Sequence, residues 1–306
     1  MAERLKGKVA VVTGAGRGLG RTHALALAAE GAKVVVNDLG GATDGSGVDK
    51  SPADEVVAEI RKMGGEAVAN YDSVATGEAG ENIIKTAIDS FGRLDILINN
   101  AGVLRERMVF NIPDEDWDIV LKVHLYGHFY CTRPASRIFR QQRSGRIINT
   151  SSGAGLGNMG QASYSSAKEG IIGFTRTVAR DMGRYGVTCN AIRPAAATRL
   201  LITPELKAAW EKRAEAGMLD GPPPWEEMEK LRPEDVSAFV VFLCTDEAAN
   251  INGCTFTVSS GELHLLSEPQ PIRSIYTQGP WTVDELCELV PKSLAKGLVN
   301  PSPPKE

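Results

Sequence analysis

Cysteine is scarce in this sequence of 306 residues, and so is any excess of positive charge. The five cysteines are an odd number, lie far apart and form no CxxC pair, which argues against a disulfide framework or a thiolate zinc site. Lys and Arg number 34 against 38 Asp and Glu, a balance that argues against a nucleic-acid surface. The cysteines are Cys131, Cys189, Cys244, Cys254 and Cys287.

Two further features are missing. No uninterrupted apolar stretch is long enough to cross a bilayer, and the polar start at 1–8 runs directly into a strand-like segment. That start leaves no room for a signal peptide, and the final Pro-Lys-Glu is not a peroxisomal address. We therefore predict a cytoplasmic protein with no membrane or nucleic-acid partner.

What the sequence does contain is a regular alternation of short apolar runs and longer amphipathic stretches. The predicted strands are 9–12, 33–37, 66–70, 94–98, 146–150, 187–192 and 255–258. The predicted helices are 19–30, 52–63, 78–91, 114–142, 163–185 and 233–244. Strands that are apolar along their whole length, each followed by a helix, predict an α/β fold with a doubly wound parallel sheet, the Rossmann fold.

The alternation favours one domain over 1–258. Two segments depart from it. A charged, proline-containing stretch at 198–231 is typical of a mobile flap. Residues 259–306 form a C-terminal extension with one predicted helix at 283–289 and a Pro-rich end that we expect to be disordered.

A glycine-rich turn, Thr13-Gly-Ala-Gly-Arg-Gly-Leu-Gly20, lies between the first predicted strand and the first predicted helix. Glycines there let the backbone approach a pyrophosphate, whose charge meets the positive end of the helix. Alone the turn is weak evidence, because any tight strand reversal can contain it. Its placement between strand and helix favours a dinucleotide site.

Three motifs in order make the signal specific. The turn reads TGxxxGxG, Asn99-Asn-Ala-Gly102 follows the fourth strand, and Tyr164 precedes Lys168 by four residues. Together they resemble the short-chain dehydrogenase/reductase family. The resemblance implies a nicotinamide cofactor held by Gly14, Arg17, Gly18, Leu19, Gly20, Asp38, Asp72, Ser73, Asn99, Ala101, Gly102, Tyr164, Lys168, Pro194 and Thr198.

The choice between NAD and NADP depends on two competing residues. Asp38 ends the second strand and would accept a hydrogen bond from a ribose hydroxyl while repelling a 2′-phosphate. Arg17 could instead hold that phosphate. We favour Asp38 and predict NAD, because a strand end is fixed whereas an arginine can swing into solvent.

The predicted reacting centre is built on Tyr164 and Lys168, which share one helix face. The lysine cation favours the phenolate, and lowering a pKa of about 10 by about three units takes roughly 4 kcal/mol. Ser151 lies thirteen residues before the tyrosine, as the family's serine does, and would hydrogen-bond the substrate oxygen. Ser152 is adjacent but lacks that spacing. A Tyr-xxx-Lys pattern alone would more often be an exposed pair on an amphipathic helix.

His124 is a departure, since most of the family has an asparagine there that holds a water on the proton path. Histidine could hold the same water or titrate itself, so we include His124 in the catalytic set. His128 lies four residues later, a spacing that could bind metal, but no third ligand is evident and we predict no metal site.

One branch of the family shares several further segments, namely 34–41, 67–73, 102–107, 116–118 and 123–125. They resemble the (3R)-hydroxyacyl-CoA dehydrogenase domain of peroxisomal multifunctional enzyme type 2. That resemblance implies NAD-dependent oxidation of a (3R)-hydroxyacyl thioester by a homodimer or homotetramer. A 3-oxoacyl carrier-protein reductase, a steroid or small-alcohol dehydrogenase, and a non-catalytic NAD-binding protein stay open as alternatives.

Overall fold

The computed structural model describes residues 3–198, 202, 204–215, 217 and 224–301. The chain divides into two compact units, Met1–Leu266 and Ser267–Glu306. None of the described helices is long and apolar enough to span a membrane.

The first unit is built on an eight-stranded sheet with the order β3-β2-β1-β4-β5-β6-β7-β8. The strands are β1 (Val9–Thr13), β2 (Lys33–Asn37), β3 (Ala67–Asn70), β4 (Ile96–Asn99), β5 (Gly145–Thr150), β6 (Val187–Pro194), β7 (Thr255–Ser259) and β8 (Glu262–Leu265). Pairing is parallel from β3 to β7, and β8 is antiparallel to β7. This topology confirms the predicted doubly wound Rossmann fold.

Helices cover both faces of the sheet. They are α1 (Gly18–Ala29), α2 (Ser51–Lys62), α3 (Gly77–Phe91), α4 (Asp114–Leu121), α5 (Gly127–Gln142), α6 (Ala162–Met182), α7 (Pro204–Glu215), α8 (Trp225–Met228) and α9 (Pro233–Leu243). Successive strand side chains point to opposite faces. Ala10 and Val12 therefore pack with α1, α2 and α9, while Val9 and Val11 pack with α3 and α5.

The helix predicted over 114–142 is interrupted. Between α4 and α5 lies a π-helical turn, Lys122–Tyr126, in which the Gly127 amide donates to the Lys122 carbonyl. A π turn inserts one residue into the helical repeat without changing which residues are apolar, so periodicity does not reveal it. Such turns are frequent at functional sites, and this one contains His124.

The sheet continues past residue 258. A tight turn at Gly261, with a φ of +78°, folds β8 back onto β7, and all four β8 residues are exposed. The run Glu262-Leu-His-Leu265 does alternate polar and apolar side chains, but four residues are the shortest run from which alternation indicates a strand, and this strand was not predicted. The first compact unit accordingly extends to Leu266.

The second unit contains α10 (Val283–Lys292), which starts where the sequence predicted a helix. Its first turn is a capping box, since the Thr282 hydroxyl accepts from the Glu285 amide and the Glu285 carboxylate accepts from the Thr282 amide.

Candidate active site

A cavity of about 640 Å³ opens at the carboxyl ends of the parallel strands. It lies where the strand order reverses around β1, the position at which open α/β sheets bind ligands. All of the predicted site residues line it except Gly20 and Asn99. The structure therefore brings together segments that are far apart in the sequence.

Gly20 and Asn99 do not line the cavity, which corrects their predicted place in the cofactor groove. Both have structural roles instead. A Cβ on Gly20 would lie 2.1 Å from the Gly14 oxygen, so Gly20 permits close packing within the turn. Asn99 is buried and donates to Thr132 and Asn149, at 3.0 and 2.9 Å. Because successive side chains of a strand point in opposite directions, the Asn99 side chain at the end of β4 points into the protein.

Asn100 takes the place expected for Asn99. Its side-chain nitrogen donates to the carbonyls of Thr13 and Gly14, at 3.0 and 3.1 Å, and the residue lines the cavity. The two asparagines are adjacent, so only the alternation of side chains at the end of β4 distinguishes them.

The glycine turn leaves the amino end of α1 open toward the cavity. Arg17, the residue before α1, makes no side-chain cap. The N–H groups of the first turn therefore have no capping acceptor. Gly14 and Gly18 have φ values of +63° and +53°, and both line the cavity. Uncapped amides at a helix start bind anions, and this end of the cavity therefore fits a pyrophosphate.

Asp38 is fixed by the backbone. Its two carboxylate oxygens accept from the Gly16 and Gly40 amides, each at 2.7 Å, and the residue lines the cavity. The guanidinium of Arg17 lies 3.8 Å from the carboxylate of Asp49. Asp72 also lines the cavity, and its carboxylate accepts from Asn70 at 2.9 Å. These residues fit an adenosine ribose beside the pyrophosphate.

Tyr164 and Lys168 lie on one face of α6 at the floor of the cavity. The ammonium nitrogen of Lys168 is 5.4 Å from the centroid of the Tyr164 ring and donates to the Thr150 carbonyl at 2.6 Å. Burial lowers the pKa of Lys168 to about 7. Burial raises the pKa of Tyr164, while a hydrogen bond with Ser152 acts in the opposite direction. The predicted net lowering of the Tyr164 pKa is therefore not seen, because burial outweighs the opposing hydrogen bond with Ser152.

The serine that faces Tyr164 is Ser152, which corrects the prediction of Ser151. The Ser151 hydroxyl is buried and donates to the Lys168 carbonyl at 2.8 Å. Ser152 follows it on the opposite side of the chain and interacts with the Tyr164 hydroxyl. The position of this serine is set by the end of β5. The spacing of thirteen residues from Tyr164 crosses a loop, and it therefore selected Ser151 instead of the adjacent Ser152.

His124 is buried against the reacting centre. Its ring meets that of Tyr164 edge-on, with centroids 5.1 Å apart, and its Nε2 lies 2.7 Å from the Val103 carbonyl. The Val103 amide is 3.1 Å from the same nitrogen, and the shorter contact puts the ring proton on Nε2. Nδ1 is then an acceptor without a partner among the described residues. Burial and the nearby Lys168 hold the pKa of His124 well below its usual value.

The histidine pair does not have the geometry of a metal site. Nδ1 of His128 lies 2.6 Å from the main-chain carbonyl of His124, so it donates to that oxygen. Burial lowers the pKa of His128 to about 3. His128 therefore supports the backbone of the π turn in its neutral form.

The outer wall of the cavity comes from the predicted flap. Trp210, Trp225, Met228 and Leu231 line it, and the two indole rings meet edge-on at 6.2 Å. Of the cations in the flap, Lys207 pairs with Glu229 and Lys212 is exposed. Arg199 and the side chain of Arg213 lie outside the described residues.

The profile of the short chain dehydrogenase family matches residues 8–203. The chain belongs to the short-chain dehydrogenase/reductase family. Its Rossmann fold implies a nicotinamide cofactor, NAD or NADP, and the family assigns it to the oxidoreductases that act on CH–OH groups of small molecules. The residues of the cavity fit such a cofactor.

Several dehydrogenases and reductases are similar along most of the chain. Peroxisomal multifunctional enzyme type 2 of Mus musculus is 48% identical over 84% of this chain but only 32% of its own length. A hydroxyacyl-CoA dehydrogenase of Mycobacterium tuberculosis is 42% identical over 92% of this chain and 87% of its own. A 3-oxoacyl-[acyl-carrier-protein] reductase of Synechocystis is 43% identical over 84% and 97%.

A solved short-chain dehydrogenase structure from Mycobacterium avium has the same fold. Its TM-score is 0.79 at 41% identity, and the match covers 98% of both chains.

Proposed function

We propose that this short-chain dehydrogenase uses NAD to interconvert a (3R)-hydroxyacyl thioester and its 3-oxo form. The observation that carries the proposal is the position of Tyr164 between Ser152 and Lys168, at the floor of a cavity that also contains Asp38. A proton-transfer group, a hydrogen-bond donor and a cation thus surround one reacting point.

Tyr164 is the proposed acid and base. In the reductive direction its neutral phenol donates a proton to the carbonyl oxygen of the substrate, a form that burial favours. In the oxidative direction its phenolate removes the hydroxyl proton. A bound nicotinamide ring supplies the hydride acceptor or donor at the substrate carbon.

Ser152 and Lys168 support that proton transfer. In this proposal the Ser152 hydroxyl, which interacts with Tyr164, hydrogen-bonds the substrate oxygen together with it. Lys168 stabilises the phenolate, and its pKa of about 7 lets it gain and lose protons near neutrality. Nδ1 of His124, near Lys168, is an acceptor that could hold a water on the proton path, as the asparagine at this position does in most of the family.

The proposed preference for NAD rests on the carboxylate of Asp38. Two backbone amides fix its orientation toward the cavity, so it cannot turn away from a ribose. A 2′-phosphate at this position would meet a fixed negative charge, whereas a 2′-hydroxyl would gain an acceptor.

The proposed substrate class follows from the outer part of the cavity. Val103, Leu104, Ile119, Met228 and Leu231 make its wall apolar, which suits an acyl chain. The name of the Mycobacterium tuberculosis relative supports a coenzyme A thioester, and that of the Synechocystis relative supports the carrier-protein alternative. The fixed Asp38 favours the first, because it disfavours NADP.

The decisive experiment is NAD reduction with a chain-length series of (3R)-hydroxyacyl-CoA substrates, with steroid alcohols as the contrast. We expect turnover with the thioesters and a dependence on chain length. Turnover confined to steroid alcohols would overturn the substrate assignment. NADPH-dependent reduction of carrier-protein thioesters alone would favour the alternative reductase.

We further propose that the protein assembles as a homodimer or homotetramer through the start of α5 and the end of the π turn before it. Tyr126 and Phe129 expose 46% and 40% of their surface and both contact Tyr130, which forms one aromatic patch. Aromatic residues are enriched at protein interfaces, and a two-fold axis through this patch would bury it against the same patch of a second copy.

A further inference from the structure

Arg17 points toward a carboxylate that the cofactor motifs do not include. Its guanidinium lies 3.8 Å from Asp49, and both side chains are partly exposed. Arg17 also lines the cavity next to Asp38. The residue that could hold a 2′-phosphate therefore already has an anionic neighbour.

The backbone fixes Asp49 at this place. The Asp49 amide donates to the Leu39 carbonyl at 3.1 Å, which closes the loop that follows β2. A Cβ on Gly40, whose φ is +75°, would lie 1.6 Å from the Asp49 carbonyl oxygen, so only glycine allows this approach. The loop of residues 38–48 thus returns Asp49 to the end of β2.

The carboxylate of Asp49 is also oriented. One oxygen accepts from the Ser51 amide at 2.9 Å, and the other faces Arg17. The hydrogen bonds from Ser51, followed by the charge of Arg17, hold the pKa of Asp49 below its usual value. Asp49 is therefore anionic at neutral pH.

The second cation nearby is engaged as well. The ammonium of Lys50 lies 4.8 Å from the centroid of the Tyr71 ring, and the Tyr71 hydroxyl donates to Asp54 at 2.5 Å. Arg17 and Lys50 thus each have a partner near the end of β2, and the carboxylates of Asp38 and Asp49 lie in the same region. A dianionic 2′-phosphate would enter a region that its charge disfavours.

We propose that Asp49 is a specificity-determining residue, which withholds Arg17 from the 2′-phosphate of NADP and so strengthens the preference for NAD. The inference rests on the proposed NAD function and adds to it a residue outside the glycine turn and the β2 terminus. Without Asp49, Arg17 swings toward the phosphate while Asp38 continues to bind the ribose.

The test is the affinity for NADH and NADPH, measured by nucleotide fluorescence without substrate. We expect Asp49→Asn to tighten NADPH binding about fivefold to tenfold, the range for one exposed ion pair plus a nearby repulsion. NADH affinity should change by less than about twofold, because the ribose hydroxyls carry no charge. Asp44→Asn is the matched control, since it removes a charge from the same loop at a carboxylate bonded to Ser46.

An Arg17→Gln background separates the mechanisms. If Asp49 acts through Arg17, Asp49→Asn should tighten NADPH binding by only about twofold there. An equal gain in both backgrounds, or a similar gain from Asp44→Asn, would overturn the inference. The inference would also be overturned if the unmodified protein preferred NADH and Asp49→Asn bound NADPH no more tightly than it does. A preference of the unmodified protein for NADPH would instead overturn the proposed use of NAD.

Discussion

The hydroxyl of Ser151 donates a 2.8 Å hydrogen bond to the main-chain carbonyl of Lys168. This bond joins the residue that follows β5 to α6 and engages the Ser151 hydroxyl, although Ser151 also lines the cavity. The neighbouring Ser152 is the serine that interacts with Tyr164. We therefore propose separate roles for the two adjacent serines, with Ser151 positioning α6 and Ser152 facing the substrate.

Alanine substitutions should separate these roles. Ser152→Ala should lower kcat about a hundredfold, because one preorganised donor to the reacting oxygen is lost. Ser151→Ala should lower the free energy of unfolding by about 1 kcal/mol and affect kcat much less. Steady-state kinetics and urea unfolding check both. If Ser151→Ala caused the larger loss of kcat at normal stability, the assignment would return to Ser151.

Tyr164→Phe removes only the hydroxyl that we propose transfers the proton. We expect kcat to fall about a thousandfold or more, within the range of general acid–base catalysis. The affinity for NADH should stay unchanged, because the phenyl ring keeps its packing against His124. Stopped-flow turnover and NADH fluorescence measure the two quantities. Near-normal turnover would reject the tyrosine as the proton-transfer group.

Asp38→Ala should narrow the gap between the two cofactors. The fixed carboxylate both accepts from the ribose and repels a phosphate, so its loss should reduce the NAD preference about tenfold. The ratio of kcat/KM for NAD and NADP checks this. An unchanged ratio would show that another group selects the cofactor.

Acid should destabilise the fold through its buried histidines. Burial lowers the pKa of His23 and of His128 from 6.5 to about 3. Between pH 3 and pH 6.5 the unfolded chain therefore binds more protons than the folded chain. The free energy of unfolding therefore falls as the pH falls. Each histidine should contribute about 2 kcal/mol of this loss between pH 6.5 and pH 5.

Urea unfolding of matched variants checks that assignment. His23→Gln removes a titrating group that is buried against Ser237, and the pH dependence should become shallower by about 2 kcal/mol. His264 lies on the exposed strand β8, so His264→Gln is the matched surface substitution with which His23→Gln is compared. Equal pH dependence in the unmodified protein and in His23→Gln would contradict the prediction.

A charge in the aromatic patch of α5 should dissociate the proposed oligomer. Phe129→Glu introduces an anion beside Tyr126 and Tyr130, where an interface would have to desolvate it. We expect light scattering to show a lower mass than for the unmodified protein. Phe110→Glu, at an exposed position outside α5, is the control. An unchanged mass in Phe129→Glu would place the interface elsewhere.

The sequence by itself determined the local structure of this protein. Apolar runs fixed the first seven strands to within a few residues, glycine spacing fixed the turn at the start of α1, and a four-residue interval placed Tyr164 and Lys168 on one face of α6. These features depend on side-chain periodicity and backbone freedom within a short stretch of chain. Short stretches are what a sequence displays directly.

Only the tertiary structure decided which of two adjacent residues faces the cavity and which distant charges meet. The structure assigns to Ser152 and Asn100 the positions that we predicted for Ser151 and Asn99. Side chains alternate at strand ends, so a shift of one residue reverses the face to which a side chain points. The pairing of Arg17 with Asp49 depends on how the loop after β2 closes, and the π turn that contains His124 is held against Val103, which is distant in the sequence. Loop closure is set by the packed fold as a whole, and no local pattern encodes it.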